Sequence, residues 1–387
     1  MRSSFFALAT AVLLLGACDN GPTPSTAPPR PQAPAPQVGS TTTPSGKIRI
    51  ALLLPLSGRA APTGQAMQQA AEMSLFDSGA KDIALAAYDS GETADSAVQA
   101  YTKARAEGAA LVLGPLFGPS ASALAPIVSR GGANVIAFSN DENAAKPGVW
   151  VMGIAAPPQV RRVVDQAVRS GIKRFAALAP RTAYGEQMTR TLESHVAVRG
   201  AEVVAAELYD EGADLSAAAK RLAANARGDG KLAILVPVAP PRLAAALAAL
   251  SGAGIDSSSV QLIGTGVWDI PGIGADTALR GAWYAAPDPA KRADFERRFI
   301  ATYGRPPLRL ATLAYDAVAL AGQLARLKPG GDFTAEAITN PNGWSGVDGV
   351  FRFLPDGRAE RGLAVIEVQG ERGLVVSPAP ASFVNTN

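Results

Sequence analysis

"KIRIALLLPLSG", beginning at Lys47, opens a rhythm that leaves few folds available. Ile48–Leu54 is a near-continuous apolar run closed by Pro55 and Gly58. A strand reads this way when helices cover both faces of its sheet. Residues 65–76 follow with Met67, Ala70, Ala71 and Leu75 at helical spacing. The unit then recurs, with strands at 83–88, 111–114 and 134–138 alternating with helices at 95–107 and 120–129. Such alternation predicts right-handed βαβ units and an α/β, doubly wound sheet.

The pattern restarts after the apolar stretch 149–152. Helices are expected at 159–170, 184–199, 215–225 and 242–251, and strands at 174–179, 202–209, 231–236 and 261–264. Two long helical stretches, 289–303 and 310–327, precede "GVFRFLPDGRAERGLAVIEV", whose alternation around Asp356 and Gly357 predicts a β-hairpin with an extended loop. The expected organisation is two doubly wound lobes with a cleft between them. Lobe 1 covers about 47–150 and 284–340, and lobe 2 about 151–283 and 341–375. Ligands of open α/β sheets sit beyond the carboxyl ends of the strands. That directs attention to the loops at 55–64, 115–119, 139–142, 180–184 and 265–269.

Ahead of the folded part stands the chain's one cysteine, Cys18, after an apolar run at residues 5–15. Eleven apolar residues are too few to span a bilayer and suit a signal-peptide core over residues 1–17. Leu15-Gly16-Ala17-Cys18 resembles the lipobox of bacterial lipoproteins, which implies acylation of Cys18 and a membrane tether through its lipid. Residues 18–46 then carry this cysteine and a linker with eight prolines after it. Such a segment is expected to stay disordered and extended, reaching at most about 87 Å at about 3.1 Å per residue. No second cysteine remains for a disulfide, so the fold must rest on its apolar core. About 340 residues follow the linker, and 48% of the chain is hydrophobic, enough for two lobes.

The same composition removes several chemistries. With one histidine, His195, and one cysteine, His–Cys metal sites and paired nucleophile–base sites have no residues to draw on. The formal net charge is +3, and basic pairs such as Arg161-Arg162 and Arg297-Arg298 fall on predicted helix surfaces. No basic run interleaves with aromatics, so nucleic acid is not an expected partner. Ser170 and Lys173 match S-x-x-K without its companion motifs. Gly264-Thr265-Gly266 starts like a dinucleotide fingerprint, yet Asp269 holds the third glycine's place. No catalytic residue, metal or cofactor is expected, and an enzyme is the weaker class for this chain.

From Lys47 to about Gly370 the chain resembles the type I periplasmic binding proteins of the leucine/isoleucine/valine-binding group. The resemblance rests on "LLLPLSGRAAPTGQAMQQAAEMSL", "GAALVLGPLFGPSASALAPIV", "NVIAFSND", "AYGEQMTRTLESHVAVRGAEVV" and "FERRFIATYGRPPLRLATLAYDAVALAGQL". It implies two lobes joined by three crossovers and closing on a ligand, a leucine-binding-protein-like domain over 47–387. It also implies ligand contacts from the loops matching 116–120 and 138–140, with Ser120, Ser139 and Asn140 as polar groups. Tyr184 matches a cleft tyrosine of the second lobe, Asp269 stands for the acidic partner of an ammonium group, and Phe117 and Trp268 supply apolar walls. The chain departs from the amino-acid binders at Leu116-Phe117-Gly118-Pro119, where a Ser/Thr cluster is usual, and at Thr63, where an aromatic is usual.

"LVLGPLF", "NVIAFSND" and the acylated N-terminus are similar to a lipoprotein branch of this fold, the penicillin-binding-protein activators. That similarity implies a regulator of peptidoglycan synthesis with a peptidoglycan synthase as partner. The alternative is an amino-acid receptor, of branched-chain type, for an ABC importer, with the ABC permease as partner. Either reading places the domain in the cell envelope, facing the periplasm, and leaves open which membrane holds the lipid.

Overall fold

The computed structural model describes residues 46–370 and 372–383. The expected signal peptide, Cys18 and nearly all of the linker lie outside the described residues. Lobe 1 begins with β1 (Ile48–Leu54), α1 (Ala61–Asp77), β2 (Ile83–Asp89), α2 (Ala94–Ala106), β3 (Leu111–Leu113), α3 (Gly118–Val128), β4 (Val135–Ala137) and β5 (Val149–Val151). These strands form one parallel sheet in the order β2-β1-β3-β4-β5. The near-continuous apolar run of β1 is explained by its place: Ile50, Leu52 and Leu54 enter one core while Ala51 and Leu53 enter the core on the opposite face.

Lobe 2 continues with α4 (Ala156–Arg169), β6 (Arg174–Pro180), α5 (Ala183–Val198), β7 (Glu202–Tyr209), α6 (Ser216–Asn225), β8 (Leu232–Leu235), α7 (Arg242–Gly252), β9 (Gln261–Gly264) and β10 (Trp283–Ala286). The chain then returns to lobe 1 as α8 (Pro289–Tyr303), α9 (Ala311–Ala325), α10 (Ala335–Ile338), β11 (Trp344–Gly346), β12 (Gly349–Phe353) and β13 (Ala359–Arg361). It ends in lobe 2 with β14 (Ala364–Gln369) and β15 (Arg372–Ser377). The second sheet has seven strands in the order β15-β14-β10-β9-β8-β6-β7, parallel from β7 to β10 and antiparallel beyond.

Three crossings join the lobes, at 152–155, 287–288 and 362–363. The last differs from the expected boundary near 340. Trp344, Phe351 and Phe353 share the core of Trp150 and Leu313, so β11 to β13 belong with lobe 1. Trp150 Nε1 donates to Leu354 O at 3.0 Å and Val151 N to Gly357 O at 2.9 Å, holding this small sheet beside β5. The expected hairpin exists as β12 and β13, with Phe353 paired to Ala359, but the chain leaves it after Arg361 to build lobe 2. Likewise Trp283–Ala286 extends the second sheet, so the return crossing falls after β10 rather than before it. Among the described residues, no helix is long and apolar enough to cross a membrane.

Candidate functional site

Both strand orders contain a reversal, between β1 and β3 and between β6 and β8, where successive loops diverge and open a crevice. A cavity of about 410 Å³ lies at the loops that follow β3, β4, β6 and β9. That size falls within the roughly 300–1,000 Å³ of small-molecule sites.

Lobe 1 supplies a mostly apolar wall. Leu116 and Phe117 come from the loop after β3, Phe138, Ser139 and Asn140 from the loop after β4, and Leu313 from α9. Phe117 is the extended residue that starts α3, which aims its ring at the cleft rather than into the helix packing. Ser139 is buried, and its hydroxyl oxygen accepts from Asp141 N at 3.0 Å, leaving its proton available. Asn140 is exposed, and its amide makes no hydrogen bond to the described residues. Gly153, on the first crossing, donates to Ser139 O at 2.9 Å. A Cβ there would stand 2.3 Å from that oxygen, so the approach requires glycine.

Lobe 2 presents polar groups that are already engaged. Tyr184 and Thr265 share a hydrogen bond of 2.7 Å between hydroxyls, and burial raises the Tyr184 phenol above its ordinary range, keeping its proton on. Gln159 donates to Ala155 O at 3.0 Å and accepts from Gly266 N at 2.5 Å. The Gly264-Thr265-Gly266 run therefore serves packing. Thr265 meets Tyr184, Gly266 meets Gln159, and a Cβ on Gly264 would fall 2.4 Å from the Trp268 ring.

Beneath the cavity, charges from separated segments converge. Asp269 Oδ2 faces Arg292 Nη1 at 3.2 Å and Arg309 Nε at 3.4 Å. Arg309 Nη1 reaches Asp348 Oδ2 at 2.9 Å, and the Thr312 hydroxyl donates to the same oxygen at 2.6 Å. Burial alone would raise Asp348, but the Arg309 charge and hydrogen bond outweigh it and hold the carboxyl below the usual range. Arg292 is likewise depressed by burial yet held above its ordinary value by Asp269 and Asp348. Behind them, Arg361 donates from Nη2 to Met152 O at 2.9 Å, tying the third crossing to the first. Asp316 accepts from Val347 N at 2.8 Å, and burial followed by the Asp348 charge raises it to about 7.

Of the expected ligand residues, Phe117, Ser139, Asn140, Tyr184 and Asp269 line this one cavity. Two expectations are corrected. Trp268 is not a cleft wall: it is fully buried in the core of lobe 2, and its Nε1 donates to Val238 O at 2.9 Å. Ser120 is turned away, because its place as the third residue of α3 points its hydroxyl at Thr93 O, 3.1 Å distant, and buries it. Asp269 lies at the cavity but is held by two arginines rather than left open for an ammonium group. The sequence reading missed Gln159, Ile154 and Arg309. Arg309 sits inside "GRPPLRLATLAYD", a stretch quoted only for its family likeness, and its guanidinium next to an apolar helix was the available signal. The loop 55–64 contributes no wall to the cavity.

Comparison with known proteins agrees with this geometry. A match to the family of periplasmic binding proteins runs over residues 47–373. A Rhodospirillum rubrum protein assigned to branched-chain amino acid ABC transport is 20% identical and superposes with a TM-score of 0.75, covering 85% of this chain and 100% of that one. The closed leucine-, isoleucine-, valine-, threonine- and alanine-binding protein of Brucella ovis gives 18% identity and 0.64, covering 86% and 94%. An R. palustris solute-binding protein in complex with benzoate gives 20% and 0.60, covering 87% and 98%. At these identities the likeness establishes the fold. An uncharacterised protein of Rickettsia prowazekii is 24% identical over 165 residues, and the match spans 43% of this chain and 44% of that relative.

Proposed function

The chain belongs to the periplasmic binding protein family, and from that premise we propose that it is a non-enzymatic solute receptor that delivers its ligand to an ABC permease. The observation that carries this reading is the cavity walled by both lobes, at the carboxyl ends of both sheets, apolar over most of its surface with a few convergent polar groups. Family membership implies a periplasmic location. The structural neighbours are transport proteins whose ligands include branched-chain amino acids and benzoate. Their company favours solute capture over the activator-like role that the N-terminal pattern and "LVLGPLF" also suggest. Cys18 acylation would keep the receptor at the membrane while the linker lets it meet its permease.

A thermal-shift screen of the folded chain against aliphatic and aromatic amino acids and the corresponding acids tests the reading. A ligand at a hundredfold its Kd adds about 2.7 kcal/mol, which raises Tm by several degrees. No shift across the panel, with capture of a peptidoglycan synthase instead, would replace solute delivery by the activator-like role. Shortening the linker separates the two as well: uptake tolerates it, whereas contact with a distant synthase does not.

A further inference from the structure

We infer that residues 378–383 form a strap that ties lobe 2 to lobe 1 across the hinge, a fourth link beside the three crossings. The strap goes beyond the solute-receptor reading and does not depend on it. After Val376 the sequence reads "SPAPASF". Pro378 and Pro380 carry no N–H and fix φ, which ends β15 at Ser377 and biases the chain beyond it towards a stiff, extended course. At about 3.1 Å per residue, the five steps from Pro378 to Phe383 reach about 16 Å.

The near end is fixed to lobe 2. Arg162, on α4, donates from Nη2 to Ser377 Oγ at 2.8 Å and to Pro378 O at 3.0 Å, and from Nε to Leu363 O at 2.8 Å. One guanidinium thus laces the tail to the third crossing. Ala379 packs against the lobe 2 core. Pro380 lies over Gly362 of the same crossing, where a Cβ would stand 3.1 Å from the proline ring.

The far end is seated on lobe 1. The Arg352 guanidinium of β12 lies over the Phe383 ring, 4.8 Å from its centroid. Arg352 donates from Nε to Glu360 at 2.6 Å and from Nη1 to Pro341 O at 3.2 Å, which fixes its plane for the ring. Gly343 completes the seat: at a φ of 71° it has no Cβ, and one there would fall 2.9 Å from Phe383 Cδ2. The strap runs outside the cleft. Helix α4 turns Gln159 to the cleft and Arg161 to a groove of about 290 Å³ that Phe383 borders with Leu354 of lobe 1. A crossing is a single chain that bends at a few backbone angles. A second chain laid beside it and fixed at both ends turns free bending into a limited swing. A cation–π contact is worth roughly two- to thirtyfold in an equilibrium, so the seat restrains the lobes without locking them.

Cys18 is the chain's one cysteine, so Cys18→Ser clears the full chain for two spin labels, one per lobe, at the exposed positions Gln65→Cys and Glu211→Cys. Double electron–electron resonance then reads the spread of interlobe distances with no solute added. Ending the chain after Ala379 keeps the Arg162 contacts and the lobe 2 packing, and removes the part that reaches lobe 1. Phe383→Ala keeps the full length and removes the ring alone. Both variants are expected to melt cooperatively and to broaden the distance distribution, raising the population outside the main peak of the unmutated chain about threefold or more. An unchanged distribution in both would overturn the strap. Broadening by truncation alone would overturn it too, since Phe383 would then not be the attachment. No solute enters the measurement, so either result leaves the solute-receptor reading to its own screen.

Discussion

The two walls of the cleft are made by similar sheets yet treat their polar groups differently. On the lobe 2 side, Tyr184 is bound to Thr265 and Gln159 to Gly266 and Ala155, so the wall is complete without a ligand. On the lobe 1 side, the exposed Asn140 amide and the Ser139 proton have no partner among the described residues. Hydrogen bonds completed inside a wall give it shape, and donors left open give it preference. The contrast assigns shape to lobe 2 and recognition to lobe 1, with the floor as the charged base on which both rest.

The contrast can be broken most forcefully at the floor. Asp348→Ala removes the fully buried partner of Arg309 and is expected to cost about 3–5 kcal/mol in urea denaturation, because it strands a guanidinium. Asp269→Ala should cost less, about 1–3 kcal/mol, since Arg292 keeps Glu296 and Arg309 keeps Asp348. Equal losses would mean that the floor is one undivided network. Next comes the lobe 2 wall. Gly264→Ala pushes a methyl against the buried Trp268 ring and is expected to cost about 1–3 kcal/mol, with a shift in tryptophan emission. An unperturbed emission would show that the wall yields more readily than its packing indicates.

Much of this was legible in the sequence, for reasons that also mark the limit. Strands such as Ile48–Leu54 and Gln261–Gly264 are written in short, mostly apolar runs, and loops at the carboxyl ends of such strands inherit their place at the cleft. Tyr184 and Asn140 accordingly come to line the cavity. Trp268 was misplaced because an aromatic after a strand reads alike whether its ring turns outward or onto a neighbouring glycine. The floor was invisible: Asp269, Arg292, Arg309 and Asp348 lie up to 79 positions apart and meet only once the crossings are made. The small sheet β11 to β13 was assigned to the wrong lobe for the same reason, since its attachment through Trp150 and Leu354 is long-range.

A gentler test uses protons. Burial, then the charge of Asp348, raises Asp316 to about 7 from 3.8. The folded chain then keeps a proton that the unfolded chain releases. Its stabilising contribution is complete below about pH 4 and declines as pH rises to about 7. Asp316→Asn retains an acceptor for Val347 N and is expected to flatten that slope, giving a relative gain in urea midpoint that is larger at pH 7.5 than at pH 4.5. An unchanged slope would show that Asp316 stays charged in the fold and that the floor's acids do not act on each other.

The smallest effect sharpens the comparison most. Tyr184 lines the cavity, and a cleft tyrosine is the group one would first expect to grip a ligand. In this chain its hydroxyl is 2.7 Å from that of Thr265, which is fully buried. Tyr184→Phe should therefore cost about 0.5–1.5 kcal/mol of stability by leaving Thr265 unanswered. Ligand affinity should fall by no more than about threefold, because the ring and its apolar contact remain. A tenfold loss of affinity with unchanged stability would say the reverse: that the phenol turns from Thr265 to the ligand on closure. Lobe 2 would then share in recognition, and the division of labour between the walls would be a property of the empty cleft alone.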